Sequence, residues 1–425
     1  MPIPPSKTTL PPLRLPHTAL VFGAALIVAA ALVAFGFRSQ GWVDTRPDPY
    51  GFSELGRNLA EGRGFEGAGV VLRRRGPLYP LMIGGLYTLF GPNPWIVLAV
   101  QCVLFAATCA LAQGIGQRLN GPRTGWIAGW LCVWHPGLLR YVADLHLETL
   151  FAFLLTWVVH AGIGFRAQPD VRRGAALGVA FGLAGLTKAV ILPWLPVFIA
   201  LLMIERCRCN GPRSAIPRAG YAAIVAAAAF VIAPWTVRNA IATGGRIVPV
   251  TTGFNDAMLR GLVFSKPEYA TLARPPYTDA ENECNAWFRD EFSKRGLIWE
   301  RDDIETERVL GEVVAERLRA DPLAFPRKFV VGLATFWYEM TSKTNSLVIG
   351  GLAFLGWVLA LLGWLRAHRR GTALWPVLGP CITLNLTLAA LLALGRYSVP
   401  VLPALMVAAA MGLDAILPVR RAPST

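Results

Sequence analysis

Charge is scarce in this chain: 16% of its 425 residues are charged, where soluble globular chains carry about a quarter. That shortage argues against a string of ordinary soluble domains, which length alone would suggest. Histidine is scarcer still, with five residues, and the seven cysteines do not make good the lack of metal ligands. Cys102, Cys109, Cys132 and Cys381 lie inside apolar runs and read as small apolar fillers. Cys207 and Cys209 form a C-x-C in a basic loop with no second pair or nearby His, so no zinc site is spelled out. Cys284 stands alone in a polar segment, without an evident disulfide partner. Acidic residues are in deficit, 26 Asp+Glu against 41 Lys+Arg, for a formal charge of +15. No basic stripe interleaved with aromatics accompanies that excess, which argues against nucleic acid as a partner. Internal repeats and low-complexity tracts are lacking too.

What the chain has is apolar length. It is 54% hydrophobic, with mean hydropathy +0.47, and its apolar residues come in runs long enough to cross a hydrocarbon layer of about 30 Å. The runs fall near 18–37, 95–117, 124–139, 148–165, 174–187, 189–204, 218–236, 347–365, 372–394 and 399–417, about ten spans. The fold class expected is an all-α polytopic membrane protein. The first run follows a Pro-rich leader, 1–17, and lacks a convincing cleavage site, so it reads as a retained anchor.

Loop charge orients the spans. With a cytoplasmic N-terminus, the even-numbered loops also face in, and they carry Arg118 and Arg123, Arg166, Arg172 and Arg173, then Arg206, Arg208, Arg213 and Arg218, then Arg366, Arg369 and Arg370. The tail, 418–425, adds Arg420 and Arg421 on the same side. One basic cluster opposes this bias: Arg73, Arg74 and Arg75, in the first outward loop, 38–93. That loop also holds a helix-like stretch, Phe52 to Ala60, and a short apolar piece rich in Pro and Gly, Pro77 to Phe90. A crossing by the second piece would invert every later loop, so an interfacial or re-entrant element is expected. The stretch 238–346 differs in composition: it holds 16 of the 26 acidic residues and a mixed-charge helical pattern from Asp302 to Ala320. It reads as a solvated outer segment, with 18–237 before it and 347–417 after it as the membrane parts.

The ionisable residues of interest sit at outward loop and helix ends, where chemistry on lipid substrates is done. The acidic ones are Asp44, Asp48 and Glu54, then Asp144 and Glu148, which share a face if helical. Helix capping would account equally for Asp48 and Glu148. The basic ones are Arg73, Arg74, Arg75, Lys188, Arg238 and Arg396. A guanidinium donates paired hydrogen bonds and keeps its charge, which suits phosphate; Arg73 to Arg75 could instead meet anionic lipid heads, and Lys188 could simply snorkel. Cations and carboxylates together at an outer interface suit a polyprenyl-phosphate donor, whose tail stays in the bilayer.

The stretches DPYGFSELGRNLAEGRGF and RRRGPLYPLMIGGLYTLFG resemble the first periplasmic loop of bacterial GT-C glycosyltransferases, relatives of the aminoarabinose transferase of lipid A and of protein O-mannosyltransferases. ADLHLETLFAFLL, GLAGLTKAVILPWLP, PWTVRNAIATGGRIVPVTTGFN and GRYSVPVLPALMVAAAMGL follow in the family's order. The resemblance implies a GT-C-type bundle with interfacial helices in 38–93 and a small periplasmic segment. It implies sugar transfer from a polyprenyl-phosphate-linked donor to a lipid, glycan or protein acceptor, with inversion, in the inner membrane of a bacterium with both termini cytoplasmic. Asp48 matches the catalytic first-loop aspartate, and Glu148 a carboxylate opening a span. Arg74, Arg75, Lys188 and Arg396 with Tyr397 are, by that resemblance, expected around the carrier phosphate. Arg74 departs from an acidic residue found there in aminoarabinose transferases, which bears on donor and metal use. No cofactor follows for certain; Mg²⁺ or Mn²⁺ would find Asp48 and Glu148 as oxygen ligands. A transporter or flippase is the alternative, for which paired repeats and charges at the midplane are expected. The spans carry instead the neutral or nearly neutral Gln101, Gln113, His160 and Asn385.

Overall fold

The computed structural model describes residues 15–40, 51–67, 70–71, 75–207, 218–246, 248–266, 269, 277–298, 303–338 and 343–417. The first half contains α1 (Leu15–Gln40), α2 (Phe52–Ala60), α3 (Leu78–Phe90), α4 (Pro94–Asn120), α5 (Pro122–Val133), α6 (Pro136–Val142), α7 (Glu148–Ala167) and α8 (Val171–Thr187). A 3-10 turn, Ala189–Ile191, leads to α9 (Trp194–Cys207) and α10 (Arg218–Ala242). Then follow α11 (Phe254–Phe264), α12 (Tyr277–Lys294), α13 (Asp303–Ala320), α14 (Ala324–Tyr338), α15 (Lys343–Arg369), α16 (Trp375–Ala390), a 3-10 stretch Gly395–Val401, and α17 (Leu402–Ile416). One antiparallel pair, β1 (Glu66–Gly67) with β2 (Val70–Val71), completes the described elements.

Among the described residues, seven segments are long and apolar enough to cross a membrane: His17–Gly36, Pro94–Asn120, Glu148–Ala167, Ala189–Cys207, Arg218–Ala242, Lys343–Arg369 and Gly395–Ile416. The expected ten are therefore not all of spanning length. The run 124–139 breaks at His135-Pro136, where Pro136 opens α6 and the His135 ring accepts from Gly137 N–H at 3.1 Å. That leaves α5 with 12 residues, about 18 Å of helix. α8 and α16 have 17 and 16 residues.

Small residues allow the helices to touch backbone to backbone. A Cβ on Gly174 or Gly178 of α8 would lie 2.3 Å from Gly220 O or 2.2 Å from Ile224 O of α10. On Gly363 of α15 and Gly412 of α17 it would lie 2.2 Å from Ala408 O and 1.9 Å from Leu359 O.

The bundle has two chemically different ends. At one, Arg123 and Arg366 meet Asp414 of α17, and Arg166 pairs with Glu205, which also accepts from Trp375 Nε1 at 3.3 Å. Arg123, Arg166 and Arg366, from three of the basic loops read as sharing a side, thus gather at this end. At the other end, Tyr79 of α3 bonds Gln101 of α4 at 2.7 Å. There α3 begins beside the α8 terminus and hands the chain to Pro94, so it turns within that end, in keeping with its 13 residues.

The outer helices have a core of their own, including Met258, Leu259, Phe288, Phe292, Val309 and Leu310. α14 leaves that group to pack on α16: Gly332 sits where a Cβ would be 2.8 Å from Ala389 Cα, and Asn385 Nδ2 donates to Leu333 O at 3.1 Å.

Candidate active site

A cavity of about 510 Å³ opens between α2, α7, α8, α11, α16 and the 3-10 stretch before α17. Five of the expected residues line it: Arg75, Glu148, Lys188, Arg396 and Tyr397.

Each arrives there for a local reason. Glu148 is the first residue of α7, where a negative charge faces the positive end of the helix dipole. Lys188 ends α8 by turning extended, at φ −154. Arg75 precedes Gly76, and a Cβ on Gly76 would stand 2.2 Å from Thr187 O and 2.5 Å from Leu186 O. Only glycine lets the Arg75 segment lie directly against the Lys188 turn. Arg75 itself stacks on Phe52 of α2, 5.2 Å from the ring centre. Arg396 and Tyr397 sit in the 3-10 stretch, where Arg396 Nη2 donates to Tyr397 Oη at 2.9 Å.

Two cations share the Tyr397 ring: Lys188 Nζ lies 3.4 Å and Arg396 Cζ 4.8 Å from its centre. Glu148 is 4% exposed, and among the described residues its Oε2 is buried without a hydrogen-bond partner. It is the one carboxylate on the described lining, against three cations. Although part of the Lys188 stem is reached from the cavity, burial pushes its ammonium down to about 7; Glu148 raises it and Arg396 lowers it further. The remaining lining is largely neutral, with Thr251, Thr252 and Phe254 on the side of the outer helices.

Gln101 fixes the loop that delivers Glu148. Its Nε2 donates to Val142 O and Asp144 O, both at 2.9 Å, while its Oε1 accepts from Tyr79. The Asp144 side chain does not line the cavity, and Arg238 lies apart, stacked on Trp235 at 4.7 Å and Phe65 at 5.5 Å. Asp48 and Arg74 lie outside the described residues. Sequence reasoning had not singled out His146, Phe52, Thr251 or Thr252 as site residues. His146 precedes Glu148 by two residues, the one hint available; nothing marks the threonines.

Among the described residues no group of three His, Cys, Asp or Glu gathers as for a metal ion. Glu148 amid three cations does not by itself make a divalent-cation site, which takes about six oxygen ligands.

A family model described as dolichyl-phosphate-mannose-protein mannosyltransferase matches residues 74–237. The match spans Arg74, Arg75, Glu148 and Lys188 and ends before Arg396 and Tyr397. Among solved structures, the oligosaccharyltransferase AglB of Archaeoglobus fulgidus, in complex with an inhibitory peptide and a dolichol-phosphate, shares 12% identity at a TM-score of 0.55, over 94% of this chain and 50% of its own. The same enzyme tethered to an acceptor peptide containing the NVT sequon gives 12% and 0.56, over 95% and 50%. ArnT from Cupriavidus metallidurans, bound to undecaprenyl phosphate, gives 16% and 0.42, over 95% and 79%. No curated protein sequence matches the chain. The likeness to AglB is one of fold, and the chain spans about half of AglB's length. The chain thus shares the transmembrane fold of AglB, is similar over 74–237 to that mannosyltransferase family, and is a multi-pass membrane protein.

Proposed function

We propose that the protein transfers a sugar from a polyprenyl-phosphate-linked donor to an acceptor hydroxyl or amide at the outer face of a bacterial inner membrane, with inversion. The observation that carries this is the convergence of Arg75, Lys188 and Arg396 on one cavity that holds a single described carboxylate. Three gathered cations repel each other and call for an anion; a lipid-linked phosphate supplies one from the bilayer side. AglB, solved with a dolichol-phosphate, supports that choice of ligand.

The chemistry then follows. The acceptor oxygen or nitrogen attacks C1 of the sugar from the face opposite the phosphate, and the C1–O bond to phosphate breaks with its electrons. Asp48 takes the acceptor's proton as general base. Charge grows on the departing carrier phosphate, where Arg396, Lys188 and Arg75 stabilise it. Both termini and the end holding Asp414 face the cytosol in this reading. A panel of polyprenyl-phosphate sugars incubated with the purified protein should show release of carrier phosphate with at least one donor. Movement of labelled lipid between leaflets without any release would point to a flippase instead.

Arg396→Ala should weaken donor binding about ten- to a hundredfold, the worth of one or two charged hydrogen bonds. Arg396→Lys should recover only part, since an ammonium lacks the paired donors. Calorimetric titration with a non-hydrolysable donor analogue reads this, and unchanged affinity in Arg396→Ala would remove it from the phosphate site.

The same titration carries a pH signature. The phosphodiester of the donor keeps one charge throughout the neutral range, while Lys188 in the free protein loses its proton through about 7. The cationic form is the one that binds phosphate, so affinity should fall as pH rises above that value, by up to about tenfold per unit. Lys188→Met should be weaker at pH 6 and flat across the range. A wild-type profile already flat would show that Lys188 does not meet the donor's charge.

A further inference from the structure

Lys328 is a lysine on α14 of the outer helices, 2% exposed, with its ammonium turned inward. It donates to three backbone carbonyls: Ala389 O at 3.1 Å, Ala390 O at 2.5 Å and Leu391 O at 3.1 Å. These belong to the last turn of α16 and the residue after it. The end of a helix leaves its last carbonyls without intrahelical partners, and a cation there also meets the negative end of the dipole. A lysine stem long enough to snorkel to water is here bent into the protein instead, at the cost of desolvating its charge.

Other contacts converge on the same few residues. Thr335 Oγ1 donates to Ala393 O at 3.4 Å. A Cβ on Gly261 of α11 would stand 1.9 Å from Leu391 O and 3.1 Å from Lys328 Cδ, so α11 rests on the carbonyl that Lys328 holds. Leu391 leaves the helix at φ −114, ψ −93, and from it the chain runs through Leu392, a cavity wall, to Arg396 and Tyr397.

We propose that Lys328 is a positioning residue of the site: by clamping the carbonyls of 389–391 it sets the path of the segment that presents Arg396 and Tyr397 to the cavity. It rests on the reading of that cavity as the donor phosphate site. The clamp also ties α11 and α14, and with them the Thr251–Phe254 wall, to the cationic end of the cavity. The cationic end of the cavity and its Thr251–Phe254 wall are thereby held in register by one side chain that does not line the cavity.

The test compares wild type, Lys328→Met, Lys328→Arg and Gly261→Ala in detergent by two measurements. The first is amide hydrogen exchange over 389–397. It should quicken about tenfold or more in Lys328→Met and in Gly261→Ala relative to helices such as α4, with Lys328→Arg between. The second is affinity for a polyprenyl phosphate, in wild-type and Arg396→Ala backgrounds. Lys328→Met should weaken it about tenfold in the first background and hardly at all in the second, because both changes remove the same contact. Unchanged exchange over 389–397, or equal losses in both backgrounds, overturns the proposal. If wild type binds no polyprenyl phosphate, the donor-site reading falls, and exchange alone still decides whether Lys328 holds the segment. Should Lys328→Met fail to fold, Gly261→Ala and Lys328→Arg carry the same comparison.

Discussion

Asp48→Asn should slow sugar transfer by about 10²–10⁴, the worth of a general base, while leaving membrane insertion and carrier-phosphate binding near wild type. Asparagine keeps the shape of the side chain and loses the capacity to take a proton. Asp48 lies outside the described residues, and the case for it rests on the first-loop resemblance and on chain length. Gly51, three residues on, opens α2 at φ 61, and three residues of chain reach at most about 11 Å. A Cβ on Gly51 would lie 3.6 Å from Arg75 Nη1, and Phe52 next to it lines the cavity. Gly51 thus stands at the cationic mouth of the cavity. Single-turnover release of carrier phosphate measures the chemical step, and calorimetry the binding. Wild-type turnover in Asp48→Asn would pass the base role to Glu148 or His146, which both line the cavity.

How far the sequence could be read depended on what each signal measures. Runs such as 148–165 and 218–236 became α7 and α10 because apolar length is what a membrane demands of a helix. The stretch Asp302 to Ala320 became α13, Asp303–Ala320, within one residue. The run 124–139 misled because hydropathy does not register a break in hydrogen bonding. Pro136 was visible, yet Pro234 and Pro380 sit inside α10 and α16 without ending them, so proline alone does not decide. Of the site, the charged residues were legible, since a cation opposed to the loop-charge rule or stranded at a helix end asks for a partner. Arg238 shows the limit: the same signal marks a residue that stacks on Trp235 and Phe65. The supports were not legible at all. Gln101 looks like a neutral residue in a span and Lys328 like one more lysine of a solvated segment. Both act on backbone carbonyls brought from far along the chain, and carbonyls carry no sequence.

Asp414→Ala should cost the folded protein about 3–5 kcal/mol, the usual toll of removing one partner from a buried charge network. Asp414 is 8% exposed near the end of α17, where the helix dipole disfavours an anion. It is held there by what surrounds it. Asn120 Nδ2 donates at 2.9 Å, Thr124 Oγ1 at 3.1 Å and Arg366 Nη2 at 3.1 Å, with Arg123 Nε 3.3 Å from the other oxygen. Arg370 Nη1 secures Asn120 in turn, donating to its Oδ1 at 2.5 Å. Residues read from the sequence only as inward-facing loop charges therefore also join the α4–α5 turn, α15 and α17. α17 leads back to the site, since it follows the 3-10 stretch that carries Arg396 and Tyr397. Loss of Asp414 leaves two arginines facing one another with no anion between them, so the α15–α17 contact should loosen from that end. Thermal unfolding in detergent should show a lowered midpoint for Asp414→Ala and a smaller drop for Asp414→Asn, which keeps an oxygen for Arg366 or Thr124. The double change Asp414→Leu with Arg366→Leu should recover much of the loss, because an apolar pair needs no desolvated charge. A midpoint for Asp414→Ala equal to wild type would mean that the helices are held by their glycine contacts alone.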